Sequence, residues 1–160
     1  MIEIRESTDF ELISSLLAQS PALVRPPSPQ KLRREYERGA RFFVAYLDGR
    51  PVGCICVKKL SFFLSEVKYL FVVEDARGRG IGSKLNDVAL ETAINDFRTP
   101  CIIATTIVGN APAIAIMVRR GFRPIAIFPS PISERRLVVL LKVHRGVPYS
   151  QDYEEIVAEV

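Results

Sequence analysis

Short apolar stretches separated by proline- and glycine-rich breaks organise the first part of the chain. Residues 2–7 alternate apolar and charged positions, which predicts a strand, whereas residues 10–17 carry apolar side chains at helical spacing behind the N-cap pair Thr8-Asp9. A stretch with four prolines follows and predicts a loop. Ser28-Pro29 then offers an N-cap and a first-turn proline, and Gly39 ends this second helix.

The middle of the chain predicts three strands and a glycine-rich turn. Residues 41–47 and 51–60 are apolar runs on either side of Asp48-Gly49-Arg50, a sequence typical of a β-hairpin turn. A third apolar strand covers residues 66–73. It leads directly into a turn over residues 74–83 that contains three glycines.

The remainder predicts two helices and three strands. Residues 85–97 place their apolar side chains on one helical face, and the continuous apolar run 101–107 is typical of a buried strand. Asn110 is an N-cap residue for a helix that ends at Gly121. Two final strands are predicted near residues 122–128 and 135–143.

The element order is therefore β-α-α-β-β-β-α-β-α-β-β. Strands joined by a helix pair in parallel and strands joined by a hairpin pair antiparallel, so the fold class is α/β with a mixed sheet and helices packed on it (an α+β arrangement). Residues 1–144 form one predicted domain, and residues 145–160 read as an appended segment.

The composition of the chain is that of one globular domain. Its 160 residues are 48% hydrophobic and 25% charged, enough to bury a core without metal or disulfide support. No apolar run reaches the roughly 18 residues of a membrane span, and the charged N-terminus does not resemble a signal peptide. We therefore expect a cytoplasmic protein with no membrane partner.

Charge is distributed unevenly along the chain. The net charge is +4, but residues 150–160 hold four acidic and no basic residues, so the rest of the chain carries an excess of eight positive charges. A basic body favours a polyanionic partner (nucleic acid, phospholipid or a phosphorylated cofactor), although a solvated charged surface explains it equally well. The basic run Lys31-Leu32-Arg33-Arg34 suggests nucleic acid as a specific partner. Leu32 and Tyr36 are four residues apart, however, which favours a helix whose cations form the solvent-exposed face.

The three cysteines and one histidine are too few for a metal site. Cys54 and Cys56 lie two apart on one predicted strand, and Cys101 and His144 are distant in sequence. Four soft ligands at zinc spacing are not available, so we expect no metal. Small thiols on strands are typical of a buried core in a reducing compartment.

The glycine-rich turn over residues 74–83 is typical of an anion-binding site. A strand that runs through glycines into a helix presents free backbone N–H groups and the positive end of the helix dipole, with Arg77, Arg79 and Lys84 nearby. A P-loop needs Gly-Lys-Ser/Thr and a dinucleotide fingerprint needs Gly-x-Gly-x-x-Gly, and neither is present. What remains is Arg-x-x-Gly-x-Gly, which alone also fits a tight strand–helix turn.

A second motif stands thirty residues after Gly80: Asn110 opens an apolar helix that closes with Gly121-Phe122. Together the two motifs resemble the GNAT family of acetyl-CoA-dependent N-acetyltransferases, over roughly residues 1–144. The resemblance implies the GNAT acyl-CoA N-acyltransferase fold, with a parallel central strand pair that splays apart. It also implies transfer of an acetyl group from acetyl-CoA to a primary amine by direct attack in a ternary complex.

The resemblance assigns a cofactor site to the glycine turn and the strand before it. The turn would hold the pyrophosphate of coenzyme A through backbone N–H groups. The strand would carry a bulge, a device that frees backbone groups from ladder pairing, and its backbone would pair with the pantetheine arm. The implied cofactor-binding residues are Leu70, Phe71, Val72, Arg77, Gly78, Arg79, Gly80, Ile81, Gly82, Ser83 and Asn110.

Glu66 is the candidate general base, since it matches a position that carries the base in some family members. A lysine-like amine is almost fully protonated at neutral pH and must lose a proton before attack; a solvated charge at a strand start is the alternative. A backbone N–H of the central strand would polarise the thioester carbonyl. Met117 stands where the family often has a proton-donating Tyr, which leaves water, Tyr149 or Tyr153 as donors. Glu74 replaces a family proline, and we expect only a local turn effect.

Three functions remain open on the sequence. The first is an N-acetyltransferase whose acceptor is a small-molecule or protein amine. The second, motivated by Met117, is a catalytically silent acyl-CoA-binding module of the same fold. The third and weakest is a nucleic-acid-binding domain, so we expect no nucleic-acid partner. The loop over residues 20–28 and the connection over 128–134 are expected to wall the acceptor side, with Arg25 and Arg135 near an acidic group of the acceptor. A homodimer is compatible with the family resemblance.

Overall fold

A computed structural model describes residues 1–146, which form a seven-stranded mixed sheet and four helices. The sheet order is β1-β2-β3-β4-β5-β7-β6. The strands are β1 (Ile2–Glu6), β2 (Arg41–Leu47), β3 (Arg50–Lys59), β4 (Leu64–Val72), β5 (Cys101–Ile107), β6 (Arg123–Pro129) and β7 (Arg136–Val143), and the helices are α1 (Phe10–Leu17), α2 (Pro29–Glu37), α3 (Ile81–Glu91) and α4 (Ala111–Arg119). The predicted element order and mixed sheet are confirmed.

Local capping explains where the first helices and the hairpin lie. The Asp9 carboxylate accepts a hydrogen bond from the Leu12 N–H at 3.1 Å, and the Ser28 hydroxyl accepts one from the Lys31 N–H at 3.2 Å. The β2–β3 turn places Asp48 and Gly49 at φ of 49° and 83°, the left-handed pair that a two-residue hairpin requires.

Helix α3 is shorter than its apolar periodicity predicts. It ends at Glu91, and Thr92–Asp96 forms a wider π-type turn instead of continuing to residue 97. The Thr92 hydroxyl donates to the Val88 carbonyl oxygen at 2.9 Å, and the Phe97 N–H bonds to the Thr92 carbonyl oxygen five residues back. A side chain that bonds to the preceding turn is a known cause of such irregularity, and apolar spacing alone does not reveal it.

Strands β4 and β5 form the one parallel pair within residues 1–146, and they are paired over only part of their length. The register joins Leu64, Ser65 and Glu66 to Cys101, Ile102 and Ile103. Beyond Glu66 the two strands separate, although β4 continues to Val72 and β5 to Ile107. The splayed central pair expected from the sequence is therefore present.

The core lies on both faces of the centre of the sheet. All residues of β3 from Val52 to Val57 are buried, because α3 packs against β1 to β4 and α1 packs against β3 and β4. Fully buried side chains include Phe42, Ile13, Leu17, Leu85 and Phe122. Within residues 1–146, none of the helices combines the length and the apolar character that a membrane crossing requires.

The two outer strands of the sheet differ from its centre. Every residue of β6 is exposed, and the strand contains Pro124 and Pro129. At the opposite edge, β1 carries an ion pair between Glu3 and Arg5 at 2.7 Å. The appended segment predicted over residues 145–160 lies largely outside the described residues, as do Tyr149 and Tyr153.

Candidate active site

A bulge distorts β4 just before the glycine turn. Cys54 lies opposite Phe71 while Cys56 lies opposite Lys68, so β4 uses one more residue than β3 over this interval. The extra residue falls at Tyr69, whose φ is 60°. A bulky side chain is rarely found in this conformation, which costs of order 1–3 kcal/mol and persists only where surrounding contacts impose it.

Contacts from β3 hold the bulge in place. The Cys54 thiol donates to the Tyr69 carbonyl oxygen at 3.5 Å. Gly53 lies opposite Val72, and a Cβ added at Gly53 would stand 2.7 Å from the Phe71 carbonyl oxygen. Backbone approaches backbone so closely here that only glycine fits. The bulge expected in this strand is thus present. The contribution of β3 to it was not predicted from the sequence.

The turn after β4 has the backbone of an anion cradle. Gly78 and Gly80 adopt φ of 77° and 78°, and an added Cβ at either would meet nothing within 4 Å, so glycine is required by conformation and not by space. Gly80 stands at the N-cap of α3, where no side chain caps the helix. The first N–H groups of a helix have no partner within it, so those of Ile81, Gly82 and Ser83 are available to a ligand. Glu74–Ala76 forms a short 3₁₀ turn between strand and cradle.

A cleft of about 530 Å³ opens in front of this cradle. It is lined by all of the predicted cofactor-binding residues except Arg79: Leu70, Phe71, Val72, Arg77, Gly78, Gly80, Ile81, Gly82, Ser83 and Asn110. A Cβ added at Gly82 would stand 2.7 Å from the tip of Ile116, so α3 and α4 meet at this point. The structure therefore brings together residues from β4, the turn, α3 and α4 that are up to forty positions apart. Ten residues that the sequence predicted for one site thus line one cleft.

The two arginines of the turn have different surroundings. The Arg77 Nε donates to the Val72 carbonyl oxygen at 3.0 Å, and its guanidinium lies 6.0 Å from the centre of the Phe71 ring. Arg77 thereby ties the turn to the end of β4. Arg79 is exposed and does not line the cleft. Its charge lowers the pKa of Asp48 slightly, and the hydrogen bond from the N-terminal amino group lowers that pKa more.

Asn110 lies at the N-cap position of α4, but its side chain does not cap the helix. Its Nδ2 donates instead to the Thr106 hydroxyl at 2.9 Å. The capping prediction is therefore wrong for the side chain. Pro112 follows in the first turn and has no N–H, which removes one of the donors that an N-cap side chain normally takes.

A second cavity of about 180 Å³ occupies the space between the separated strands. We call it the gap. Val67 to Leu70 of β4 line one side, and Ala104 to Ile107 of β5 line the other. Leu70, Ile107, Asn110 and Ala113 also line the cofactor cleft, so the two cavities meet between β4 and β5.

The walls of the gap agree only in part with the sequence prediction. Ser20, Ala22 and Leu23 of the α1–α2 loop line it, as expected. Residues 128–134 do not; Leu137 and Leu140 of β7 lie there instead. Met117 lines the gap and is only 4% exposed, so a thioether occupies the position where the family often has a phenol.

Glu66 stands where the gap begins. It is the last residue of β4 paired with β5, opposite Ile103, and lies opposite Lys58 on the other side. Its side chain is partly buried and is not among those that line the cleft or the gap, whereas the next residue, Val67, lines the gap. Glu66 thus lies at the edge of the gap without lining it, so a carboxylate acting there would need a bridging water.

Two charged residues beside the gap escaped the sequence analysis. Lys68 lines the gap, and its ammonium lies 2.5 Å from the Glu35 carboxylate of α2. Burial acts to lower the pKa of Lys68, but the hydrogen bond to Glu35 and nearby charges outweigh it and raise the value. These residues are 33 positions apart, and no spacing rule connects a strand lysine with a helix glutamate.

Tyr69 is the third side chain that was missed. It lines the gap, and the Lys68 ammonium lies 4.7 Å from the centre of its ring. Burial raises the pKa of Tyr69 to about 12, so the phenol keeps its proton at neutral pH. A positive φ at a tyrosine has no signature in the sequence, since tyrosine ordinarily favours extended strand backbone.

Comparison with known proteins agrees with this geometry. The sequence model of the Acetyltransferase (GNAT) family matches residues 10–122. An N-alpha-acetyltransferase of Saccharolobus solfataricus is 28% identical over an alignment of 103 residues, and the match covers 57% of this chain and 61% of that protein. The chain thus spans less than two thirds of the length of this relative.

Solved structures share the fold at low sequence identity. They include a ribosomal-protein-alanine N-acetyltransferase from Brucella melitensis (TM-score 0.72, 22% identity, 88% of this chain and 99% of that one). For a GNAT acetyltransferase from Elizabethkingia anophelis with acetyl-CoA bound, the TM-score is 0.65 and the identity 22%, and the match covers 89% of this chain and 97% of that one. For a chain of the NatC complex bound to Gag peptide and CoA, the TM-score is 0.76 and the identity 21%, and the match covers 89% of this chain and 98% of that one. With the family match over most of its length and the cradle, bulge and splayed strands in place, the chain belongs to the GNAT acetyltransferase family.

Proposed function

We propose that this protein transfers an acetyl group from acetyl-CoA to a primary amine, with both substrates bound at once. The observation that carries the proposal is the meeting of the cofactor cleft and the gap between β4 and β5. A cofactor in the cleft and an acceptor in the gap would approach each other where the two cavities meet. No covalent relay through the protein is then required.

Acetyl-CoA supplies the acetyl group as a thioester, whose carbonyl carbon is open to attack by a neutral amine. The residues that would hold it are those of the cradle, where the N-terminus of α3 and the glycines favour phosphate oxygens, with Arg77 adding positive charge. The edge of β4 that faces away from β3 has no partner strand beyond Glu66. Its backbone at Leu70–Val72 can pair with an extended amide-bearing arm. The cofactors named in the structural neighbours support this reading.

Glu66 would remove the proton from the acceptor amine. Its position at the head of the gap suits a carboxylate that works through a bridging water, and general bases contribute about 10² to 10⁴ in rate. Backbone N–H groups of the bulged strand would stabilise negative charge on the carbonyl oxygen, because they are fixed in place before reaction.

Tyr69 would supply the proton that Met117 cannot. Methionine has no proton to give, whereas the phenol of Tyr69 lines the same gap and stays protonated. Strain at its backbone also fits a functional position, since unusual φ values cluster at active sites. Water remains available as the alternative donor.

The acceptor amine is proposed to be the amino group of a polypeptide. One relative is described as an N-alpha-acetyltransferase and one structural neighbour as a ribosomal-protein-alanine N-acetyltransferase, and both descriptions support a protein amino group. Residues of the α1–α2 loop form part of the wall of the gap, and a peptide that continues beyond the amine would contact them.

A catalytically silent acyl-CoA-binding module is the second candidate, and the buried Met117 is the observation that favours it. Thermal unfolding with and without acetyl-CoA tests the binding that both candidates share, since a ligand that binds only the folded state raises Tm. A panel of peptide α-amines, lysine peptides and small amines, followed by release of the CoA thiol, separates them. Turnover of any amine contradicts the silent module, and absence of acetyl-CoA binding at millimolar concentration contradicts both.

A further inference from the structure

A third cavity, outside the cleft and the gap, is lined mainly by cations. It measures about 430 Å³ and lies between α2 and the end of β3. We call it the basic pocket. Its lining residues are Lys31, Arg34, Glu35, Arg38, Lys58, Lys59 and Leu60.

The cations of the basic pocket are unpaired. Among residues 1–146, none of the five lysines and arginines that line it takes part in an ion pair or a side-chain hydrogen bond, whereas Arg41, Arg50 and Arg120 elsewhere each have a carboxylate partner. Glu35, the one acid in the lining, is already bonded to Lys68. Five like charges around a concave site repel one another, and an anionic ligand relieves that repulsion.

The basic pocket adjoins the gap through a single ion pair. Lys68 lines the gap, Glu35 lines the basic pocket, and their charged atoms lie 2.5 Å apart. Glu35 Oε2 is buried and has no hydrogen-bond partner among the described residues. An acceptor lying in the gap is therefore one side-chain pair away from an unneutralised cationic site.

The length of β4 sets the distance between the two sites. Lys58 lies opposite Glu66, where the gap begins, and Leu70 at the far end of the gap is four positions further along the strand. At about 3.3 Å per residue this is at most roughly 13 Å, because the bulge at Tyr69 shortens the path. A group held in the basic pocket would thus lie about two to four residues of extended peptide from an amine in the gap.

We propose that the basic pocket binds the carboxylates of an acidic segment at about positions 3 to 5 of a peptide acceptor, counted from its amino terminus. The inference deepens the proposed function by naming a class of acceptor, and it rests on that function. Nucleic acid is the less favoured occupant, because the lining offers no aromatic side chain on which a base could stack.

Two matched peptides test the proposal. Both have a free amino terminus and a fluorophore at the carboxyl end; one carries Asp and the other Asn at about positions 3 to 5. Fluorescence anisotropy in the presence of CoA measures binding. We expect the full-length protein to bind the Asp peptide about tenfold more tightly, the effect of two or three exposed charge pairs, and to lose this preference as salt rises. Acetylation of the same peptides gives kcat/KM.

Variants locate the effect. Lys58→Gln/Lys59→Gln and, separately, Arg34→Gln/Arg38→Gln should bring the ratio of the two affinities close to one. Arg34 and Arg38 are the cleaner pair, since they are not strand neighbours of Glu66. Arg123→Gln removes a cation from exposed strand β6 and should keep the full preference.

Equal binding of the two peptides, or a preference that survives in both double variants, would overturn the proposal. So would a single-stranded oligouridylate that binds more tightly than the Asp peptide and weakens in the same variants. Selective binding without acetylation would contradict the proposed function but support the proposed ligand of the basic pocket. Acetylation without selectivity would support the proposed function but contradict the proposed ligand.

Discussion

The Arg135 guanidinium donates a hydrogen bond to the Pro21 carbonyl oxygen at 2.8 Å, across 114 residues of sequence. The bond joins the β6–β7 connection to the α1–α2 loop, whose neighbouring residues Ser20 and Ala22 line both the cleft and the gap. Arg135 was expected to meet an acidic group of the acceptor. Its contact with Pro21 holds the loop that borders the gap, and its contact with the acceptor stays a prediction.

Arg135→Gln should therefore raise the acceptor KM severalfold and leave acetyl-CoA binding unchanged. The loop loses one charge-assisted hydrogen bond, worth about 1.5–3 kcal/mol at most. Steady-state kinetics with varied peptide and a thermal shift with acetyl-CoA separate the two effects. Arg136→Gln, a neighbouring exposed arginine, is the control. Equal damage by both substitutions would count against this role.

Gly80→Ala should weaken acetyl-CoA binding beyond its cost in stability. The left-handed backbone at Gly80 costs an alanine about 1–2 kcal/mol, and the residue would relieve that strain by moving the cradle. Gly49→Ala, with φ of 83° in the β2–β3 hairpin, has the same strain far from the cleft. Both variants should lower Tm, but only Gly80→Ala should reduce the rise in Tm that acetyl-CoA produces. Identical responses to the ligand would refute the cradle.

Glu66→Gln should slow acetylation by about 10² or more while acetyl-CoA binds as before. The amide keeps the shape of the side chain and cannot accept a proton from an ammonium group. Raising the pH should recover part of the lost rate, since more of the amine is then neutral without help. Glu74→Gln, in the 3₁₀ turn, is the matched control. If Glu66→Gln acetylated at the wild-type rate, Glu66 would not be the general base.

Tyr69→Phe should lower kcat by about tenfold and leave both KM values within twofold, since it removes one proton donor and little packing. Because burial raises the pKa of Tyr69 to about 12, the phenol is protonated throughout pH 6–9. The ratio of wild-type to variant rates should therefore be constant over that range. A ratio that changes with pH, or no loss of rate, would point to water as the donor.

Cys54 and Cys56 should not react with thiol reagents in the native protein. Both are fully buried, and burial raises the pKa of Cys54 to about 12, so about one thiol in ten thousand is ionised at pH 8. Cys101 is partly exposed. Titration with an aromatic disulfide should count one thiol in the folded protein and three after denaturation. A count of three before denaturation would contradict the packing of β3.

The elements that local chemistry controls were predictable from the sequence. The N-caps Asp9 and Ser28 and the hairpin at Gly49 each depend on a few adjacent residues. The cradle was likewise recognisable, because its glycines and Arg77 are contiguous.

Features that depend on tertiary neighbours were not predictable. The positive φ of Tyr69 lies in a bulge that Gly53 and Cys54 contact from another strand. The basic pocket is formed by residues of α2 and of the end of β3. The basic run that begins at Lys31 indicated only the residues from α2. Arg135 donates to a backbone carbonyl oxygen, and a bond of this kind cannot be predicted from the pattern of side chains along the chain.

The outer strands of the sheet have a consequence for crowded conditions. An open sheet edge is a template on which another chain can add a strand, and fused edges lead to aggregates. Pro124 and Pro129 remove two N–H donors from β6, and the Glu3–Arg5 pair places charge along β1. Both features interrupt the regular ladder that strand addition needs, although Ile125, Ile127 and Phe128 expose apolar side chains on β6. Proline and charge, rather than a lack of apolar surface, thus make these edges unfavourable sites for a further strand.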